Sequence, residues 1–177
     1  MKPVKLSKCK ICPTLFQKWS STQKTCSVPC ALELAKRDRE KKERKEYLAQ
    51  KVKLRTRREW LKLAQTAFNS FIRLRDANLP CISCGRFHQG QYHAGHFLST
   101  GAHPELRFDE NNCHKQCAPC NDHLSGNIAL YRQALIVKVG PEELARLEGL
   151  NNPKKWTIPE LQEILAVYKE KAKAAKK

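Results

Sequence analysis

At 177 residues the chain has room for one ordinary domain with an appendage, or for two small modules. Its 34 Lys and Arg against 17 Asp and Glu leave a formal charge of +17, which points to a polyanionic partner, most simply nucleic acid. No run of ~18 apolar residues exists, which excludes a membrane-spanning helix, and "MKPVKLSKCKICP" lacks the apolar stretch of a secretory signal; the expectation is a cytoplasmic, nucleoid-associated protein whose nine cysteines bind metal rather than pair as disulfides.

The first element, residues 1–30, is a cysteine module. Cys9, Cys12, Cys26 and Cys30 are spaced C-x2-C-x13-C-x3-C, two close thiolate pairs that suit tetrahedral zinc. Phe16 and Trp19 lie in the intervening loop and are placed to cover the metal, since so small a module has little other core. Such a module serves either as a DNA-contacting finger or as a structural clip.

Residues 31–77 contain no Pro and no Gly, and read as a long helix. Its first part, "KRDREKKERKE" (residues 36–46), is wholly charged, with Asp38–Lys42 and Glu40–Arg44 at favourable i,i+4 spacing. With no apolar face it is expected to bridge two modules through solvent, or to track a phosphate backbone. Further on, Trp60, Leu63, Ala64, Ala67, Phe68, Phe71 and Leu74 recur at helical spacing and form a stripe to be buried as core or as a dimer seam. Thr56 and Glu59 fit a capping box, so the helix is expected either to restart there or to run unbroken over roughly 70 Å at ~1.5 Å per residue.

Residues 78–139 are chemically dense. Cys81, Cys84, Cys117 and Cys120 form a second quartet, two C-x2-C pairs separated by 32 residues, with Gly85 supplying the tight turn of a zinc knuckle. A closed four-cysteine site leaves Cys113 over, either as a substitute ligand or as a small buried residue. It also leaves His93, His96 and His103 without work at the zinc. "GQYHAGHFL" has the look of a hairpin strand, and "NDHLSGN" is expected to begin a helix directly after Cys120. His88 and His114 carry no positional signal and are expected at the surface. "NIALYRQALIVKV" reads as a helix. In residues 140–177, Gly140-Pro141 opens a short helix through Leu147, with Pro at its first turn. Thr157 and Glu160 then cap a last helix whose apolar face is Leu161, Ile164, Leu165 and Tyr168, ahead of a basic tail.

The run from "CISCG" through "HAGHF" to "NCHKQCAPCN" resembles the zinc-stapled form of the HNH endonuclease motif. The N-terminal cysteines, the charged helix, "EWLKLAQTAFNSFIRLRD", "LRFDENN" and "CNDHLSGN" together extend the resemblance over essentially the whole chain, to the NinG (Rap) recombination proteins of lambdoid phages. The resemblance implies a mainly α fold with small zinc-stapled β-hairpins: an HNH-like ββα-metal (treble-clef) core joined by a long helix to an N-terminal four-cysteine module. It implies a structure-specific endonuclease acting on branched DNA such as Holliday junctions and D-loops, with two structural zinc ions and one catalytic Mg²⁺ or Mn²⁺. By the motif's offsets His96, Asn112 and Asn121 are the site residues.

Neutral imidazole, with a pKa near ~6.5, lets His96 take a proton from water as general base. The Asn121 carbonyl is the oxygen ligand for the cation, and Asn112 pins the loop that aims His96. The related nucleases carry an acidic metal ligand directly before the histidine, where this chain has Gly95. His93 is the nearest replacement, with Asp122 and His123 as further options. Strand alternation sets His93 and His96 on opposite faces, so a bulge at Gly95 is expected if both serve one metal. His103 is expected in a loop, as a bystander or as a DNA or metal contact. Paired cuts across a junction point to a homodimer, with the Trp60–Leu74 stripe as its seam. The alternative reading is a non-catalytic zinc-dependent protein that binds DNA or RNA.

Overall fold

The computed structural model describes residues 6–176, and the chain divides into two compact units between Arg55 and Thr56. It is mainly helical, with two small antiparallel hairpins and two cysteine clusters. No helix among the described residues is long and apolar enough to cross a membrane.

The first unit opens with a hairpin of β1 (Leu6–Lys8) and β2 (Leu15–Gln17), paired Ser7 to Phe16. The loop between them carries Cys9 and Cys12. Helix α1 (Val28–Lys53) then brings in Cys30 on its first turn. Trp19 does not cover the cysteines: it is 86 % exposed, and the closest packing comes from the four thiols themselves. None of the α1 side chains is buried, as expected of a helix without an apolar face. Lys42 reaches forward to Glu46 rather than back to Asp38, and Arg37 pairs with Glu33 at 2.8 Å.

The second unit begins where the helix restarts. Thr56 is extended and its hydroxyl accepts from the Glu59 amide, while the Glu59 carboxylate accepts from the Thr56 amide at 2.8 Å. Those reciprocal bonds satisfy the first-turn donors that a continuous helix would have used, and α2 (Arg57–Arg75) starts there. The amphipathic half of the sequence pattern therefore belongs to this unit and not to a linker. Trp60, Ala64, Phe68 and Ile72 of α2 are buried against Leu161, Leu165 and Tyr168 of α5 (Ile158–Ala174). The expected seam is thus the unit's own core, covered from within the chain by the helix that Thr157 and Glu160 cap.

Phe68 is the centre of this core, edge-on to Tyr168 (4.9 Å between ring centroids) and to Phe108 (5.7 Å) and stacked on His96. Truncating it as Phe68→Ala is expected to cost about 3–5 kcal/mol, by the lost contacts and the cavity left behind, read as a lowered urea midpoint.

Strands β3 (Tyr92–His96) and β4 (Cys113–Cys117) pair without a break, from Tyr92 opposite Cys117 to His96 opposite Cys113. One face of this hairpin, with Ala94 and Cys113, closes the α2–α5 core. The other, with Gly95 and His114, meets Tyr131 on α3 (Ile128–Val139). A second core joins Phe97 and Leu106 to Tyr131 and Leu135 of α3 and to Leu144 and Leu147 of α4 (Pro141–Gly149). After Cys117 the chain forms a wide π-type turn (Pro119–His123) rather than the start of a helix. Ser125, Gly126 and Asn127 follow with positive φ, and α3 begins only at Ile128.

The end of α2 is tied to the hairpin through Asp76, which is buried. Burial alone would raise its pKa. The Arg75 guanidinium at 2.8 Å, the Lys115 amide at 3.0 Å and the Lys138 ammonium outweigh that and hold the carboxyl below the usual range. Because the folded value lies below the unfolded one, the stabilisation is complete above the ordinary carboxyl pKa near ~3.9 and is lost as pH falls through the lower folded value. An Asp76→Ala variant is expected to be less stable by about 1–3 kcal/mol at neutral pH, since it strands the part-buried Arg75 and Lys138 and the Lys115 amide. The deficit should shrink on acidification in pH-resolved denaturation curves.

Candidate functional site

The two cysteine quartets have the geometry of metal sites. Tetrahedral Zn–S bonds of ~2.3 Å set sulfurs about 3.8 Å apart. In the first cluster, Cys12–Cys26, Cys26–Cys30 and Cys12–Cys30 are separated by 3.4, 3.8 and 3.8 Å. In the second, Cys84 and Cys117 are 3.9 Å apart, and within each quartet all four sulfurs lie within 4.8 Å. Both clusters can therefore hold a metal such as zinc. The knuckle at Cys81 needs Gly85, whose φ of +66° lets its amide return to the Cys81 carbonyl at 2.9 Å. Cys113 stays outside the cluster as a fully buried thiol. His88, expected as a plain surface residue, has Nε2 only 3.1 Å from Cys84 Sγ.

His96 is the last residue of β3, on the face toward α2. Its Nε2 lies 3.0 Å from the Arg107 carbonyl oxygen. A carbonyl only accepts, so Nε2 carries the proton and Nδ1 keeps the basic lone pair. The neighbour of Nδ1 is the Cys113 thiol at 3.7 Å. Burial pushes the His96 pKa below its ordinary value of 6.5, outweighing the Arg107 carbonyl bond that favours the charged form. The ring is thus a neutral, tautomer-fixed imidazole.

Asn112 is fully buried directly before β4. Its Nδ2 donates to the Leu98 and Leu106 carbonyls (2.9 and 3.3 Å), and its Oδ1 accepts from the Leu98 amide (2.8 Å). It therefore ties both ends of the loop between the strands, the loop that carries Arg107 to His96. His103 sits in this loop and turns to Glu105, with Nδ1 at 3.2 Å from its carboxylate.

On the opposite face of β3 stand His93 and Gly95. The strand has no bulge, so His93 and His96 do not converge. Instead His93 Nε2 lies 3.3 Å from Asp122 Oδ2, and Asn121 Nδ2 donates to Asp122 Oδ1 at 2.5 Å. Gly95 leaves space that two carboxamides use: a Cβ there would clash with Gln116 Oε1 and meet Asn121 Oδ1 at 3.0 Å. An imidazole, a carboxylate and two amide oxygens thus surround this face. His123 is exposed.

His114, expected at the surface, is 2 % exposed. Its Nδ1 lies 3.1 Å from the Tyr131 hydroxyl, which donates to the Gly95 carbonyl at 3.0 Å. Burial, reinforced by Lys138 and Arg75, pushes its pKa down to about 3. This chain of bonds fixes the backbone between the two histidines of β3. The sequence offers no signal for it, because β4 reads as polar.

Beside the site, α2 presents Arg58, Lys62, Gln65, Thr66 and Asn69 along one face, and with Arg107 they line an open groove of about 620 Å³. Arg107 is held there by Gln65 Oε1 (3.1 Å) and the Thr100 carbonyl (3.0 Å). The groove is cationic and reaches the residue whose carbonyl orients His96.

The family model of the bacteriophage Lambda NinG protein matches residues 1–177. Among curated relatives, the ninG protein of Escherichia phage 933W is 43 % identical over 94 % of this chain and 92 % of its own length. The ninG protein of Escherichia phage lambda is 44 % identical over 89 % of this chain and 83 % of its own. That of Salmonella phage P22 is 43 % identical over the same shares. No solved structure matches the chain.

Proposed function

The chain belongs to the family of the bacteriophage Lambda NinG protein, and on that premise we propose that it is a cation-dependent endonuclease of HNH type that hydrolyses phosphodiester bonds in branched recombination intermediates such as four-way junctions and D-loops. The observation that carries this reading is the pairing, on one five-residue strand, of a neutral imidazole with an oxygen-rich donor group. Phosphodiester hydrolysis needs both, a base for water and positive charge on the phosphate.

His96 supplies the base through Nδ1, while the Arg107 carbonyl holds Nε2–H and stabilises the imidazolium that forms. Asn112 keeps that carbonyl in place. His93, Asn121 and Asp122 would hold a divalent cation, which would polarise the scissile phosphate and stabilise the departing 3′ oxygen. His93 and His96 lie on opposite faces of β3, so a phosphate that meets both has to reach round the strand, whose last residue is His96. The basic row on α2 supports the reading by offering phosphate contacts next to that strand end. Two sites on two strands are supplied by a homodimer acting on nucleoid DNA in the host cytoplasm, with a seam elsewhere than the α2 stripe.

One observation favours the alternative, a zinc-dependent nucleic-acid-binding protein without catalysis. The Cys113 thiol is 3.7 Å from Nδ1 and competes for its lone pair. Incubating the purified protein with a labelled four-way junction separates the two. Strand cuts in Mg²⁺ or Mn²⁺ that EDTA suppresses are the expected result. A shifted but uncut junction under every divalent cation selects the binding protein.

A further inference from the structure

Gln116 is 0 % exposed, and its two amide hydrogens are committed. Nε2 donates to Ser83 Oγ at 2.6 Å and to the Gly126 carbonyl, and Ser83 in turn donates to that same carbonyl at 3.1 Å. A backbone carbonyl is an acceptor only, so the carboxamide has one orientation. Its Oε1 must then face Gly95, and there it has no hydrogen-bond partner. A buried acceptor left unpaired costs folding free energy. Here the cost is built in, since the acceptors that fix the amide come from Ser83 and from the left-handed turn at Gly126.

We propose that Gln116 Oε1 is a ligand for a divalent, oxygen-preferring cation, and that it supplies from β4 the oxygen that a carboxylate at position 95 would have supplied from β3. The crowding at Gly95 points the same way: both Gln116 Oε1 and Asn121 Oδ1 approach the point where a side chain would begin, so an acidic residue at 95 and the glutamine exclude each other. Gln116 forms the buried floor of the site, with His93 and Asp122 as its half-exposed rim. Two neutral amide oxygens, one carboxylate and one imidazole leave room for water in an octahedral shell. The imidazole favours Mn²⁺ over Mg²⁺.

The inference rests on the cation-dependent reading above, and its test reads binding rather than cleavage. The zinc-loaded full chain is titrated with Mn²⁺ and free Mn²⁺ is followed by electron paramagnetic resonance. Wild type is expected to take one Mn²⁺, Gln116→Met to bind at least tenfold more weakly, and Gln116→Glu to bind as tightly or more so. Gly95→Ala, which displaces the carboxamide, should weaken binding as well. Unchanged Mn²⁺ affinity in Gln116→Met with its zinc content intact overturns the proposal and leaves Oε1 to a buried water. So does the absence of any Mn²⁺ bound to wild type. If the Met variant loses zinc and unfolds, Gln116→Glu decides, since weaker binding there contradicts a ligand role. Mn²⁺ bound through Gln116 without junction cleavage upholds the site and sinks the nuclease reading. Cleavage with a Met variant that binds normally does the reverse.

Discussion

Replacing His96 by alanine is expected to lower junction cleavage by about 10²–10⁴-fold, the usual contribution of a general base, while junction binding changes little. The groove along α2 that is proposed to meet the phosphates does not involve the ring. His96 also packs on Phe68 at 6.0 Å, so a loss of activity in the alanine variant alone could reflect a loosened core. His96→Asn addresses this, because its amide can still donate to the Arg107 carbonyl but has no basic nitrogen. It should fail as completely as alanine while unfolding at a urea concentration close to wild type.

The pH profile supplies an independent check. The base works deprotonated, and burial pushes its pKa below 6.5. The rate should therefore be flat through neutrality and fall only on the acid side, below the ordinary imidazole value. Stability follows the same sign. A folded pKa below the unfolded one means that stability present above about 6.5 is lost as pH falls toward the folded value. Cys113→Ala removes the thiol that competes for Nδ1 and is expected to keep or raise activity. Full cleavage by His96→Asn would remove His96 from the chemistry.

What the sequence discloses here, and what it hides, follows from how local each cause is. Thr56 with Glu59 and Thr157 with Glu160 mark helix starts because a capping box is closed within four residues. The cysteine quartets are legible because thiolate pairs at this spacing have few other uses. Strand β4 is the opposite case. "CHKQC" shows no apolar alternation, yet all five residues are buried. Apart from Gln116 Oε1, their polar groups find Asp76, Ala77, Ser83, Gly126 and Tyr131, partners that only the folded chain brings near.

The same non-locality explains the site. The offsets that select His96, Asn112 and Asn121 are short-range; Asn112 ties the loop beside His96, while Asn121 lies on the other face of β3, at Gly95. Gln116 reaches Gly95 only through strand register, so nothing around position 95 announces it. The strand runs without a bulge, and the space at Gly95 is taken by a carboxamide of the neighbouring strand. Of the two readings of the stripe, core and dimer seam, the fold takes the first: an amphipathic stripe states that it will be covered, and α5, more than eighty residues on, is what covers it.

Removing the second quartet's metal should have the largest structural effect. Cys81, Cys117 and Cys120 form a buried cluster whose partly buried apolar neighbours among the described residues are Cys84 and Tyr92, so little apolar packing would stand in for a metal there. Structural zinc in such modules contributes apparent folding free energy of about 10–16 kcal/mol. Cys117 is the position to change. It ends β4 and opens the turn that carries Asn121 and Asp122, whereas Cys84 has His88 at 3.1 Å as a substitute donor. Cys117→Ser is expected to lower the zinc content by one equivalent. It should unpair β3 and β4, seen as lost amide protection, and abolish cleavage. The α2–α5 core should persist as a residual transition, because only Phe108, Cys113 and a few neighbours join it from the zinc-stapled segment. Cys12→Ser should also lose one zinc but leave that transition and the hairpin's protection intact, since the units divide at Arg55. Two zinc equivalents in Cys117→Ser, with unchanged protection of β4, would show that the quartet is not the staple. If Cys12→Ser also unpaired the hairpin, the two units would be one folding body.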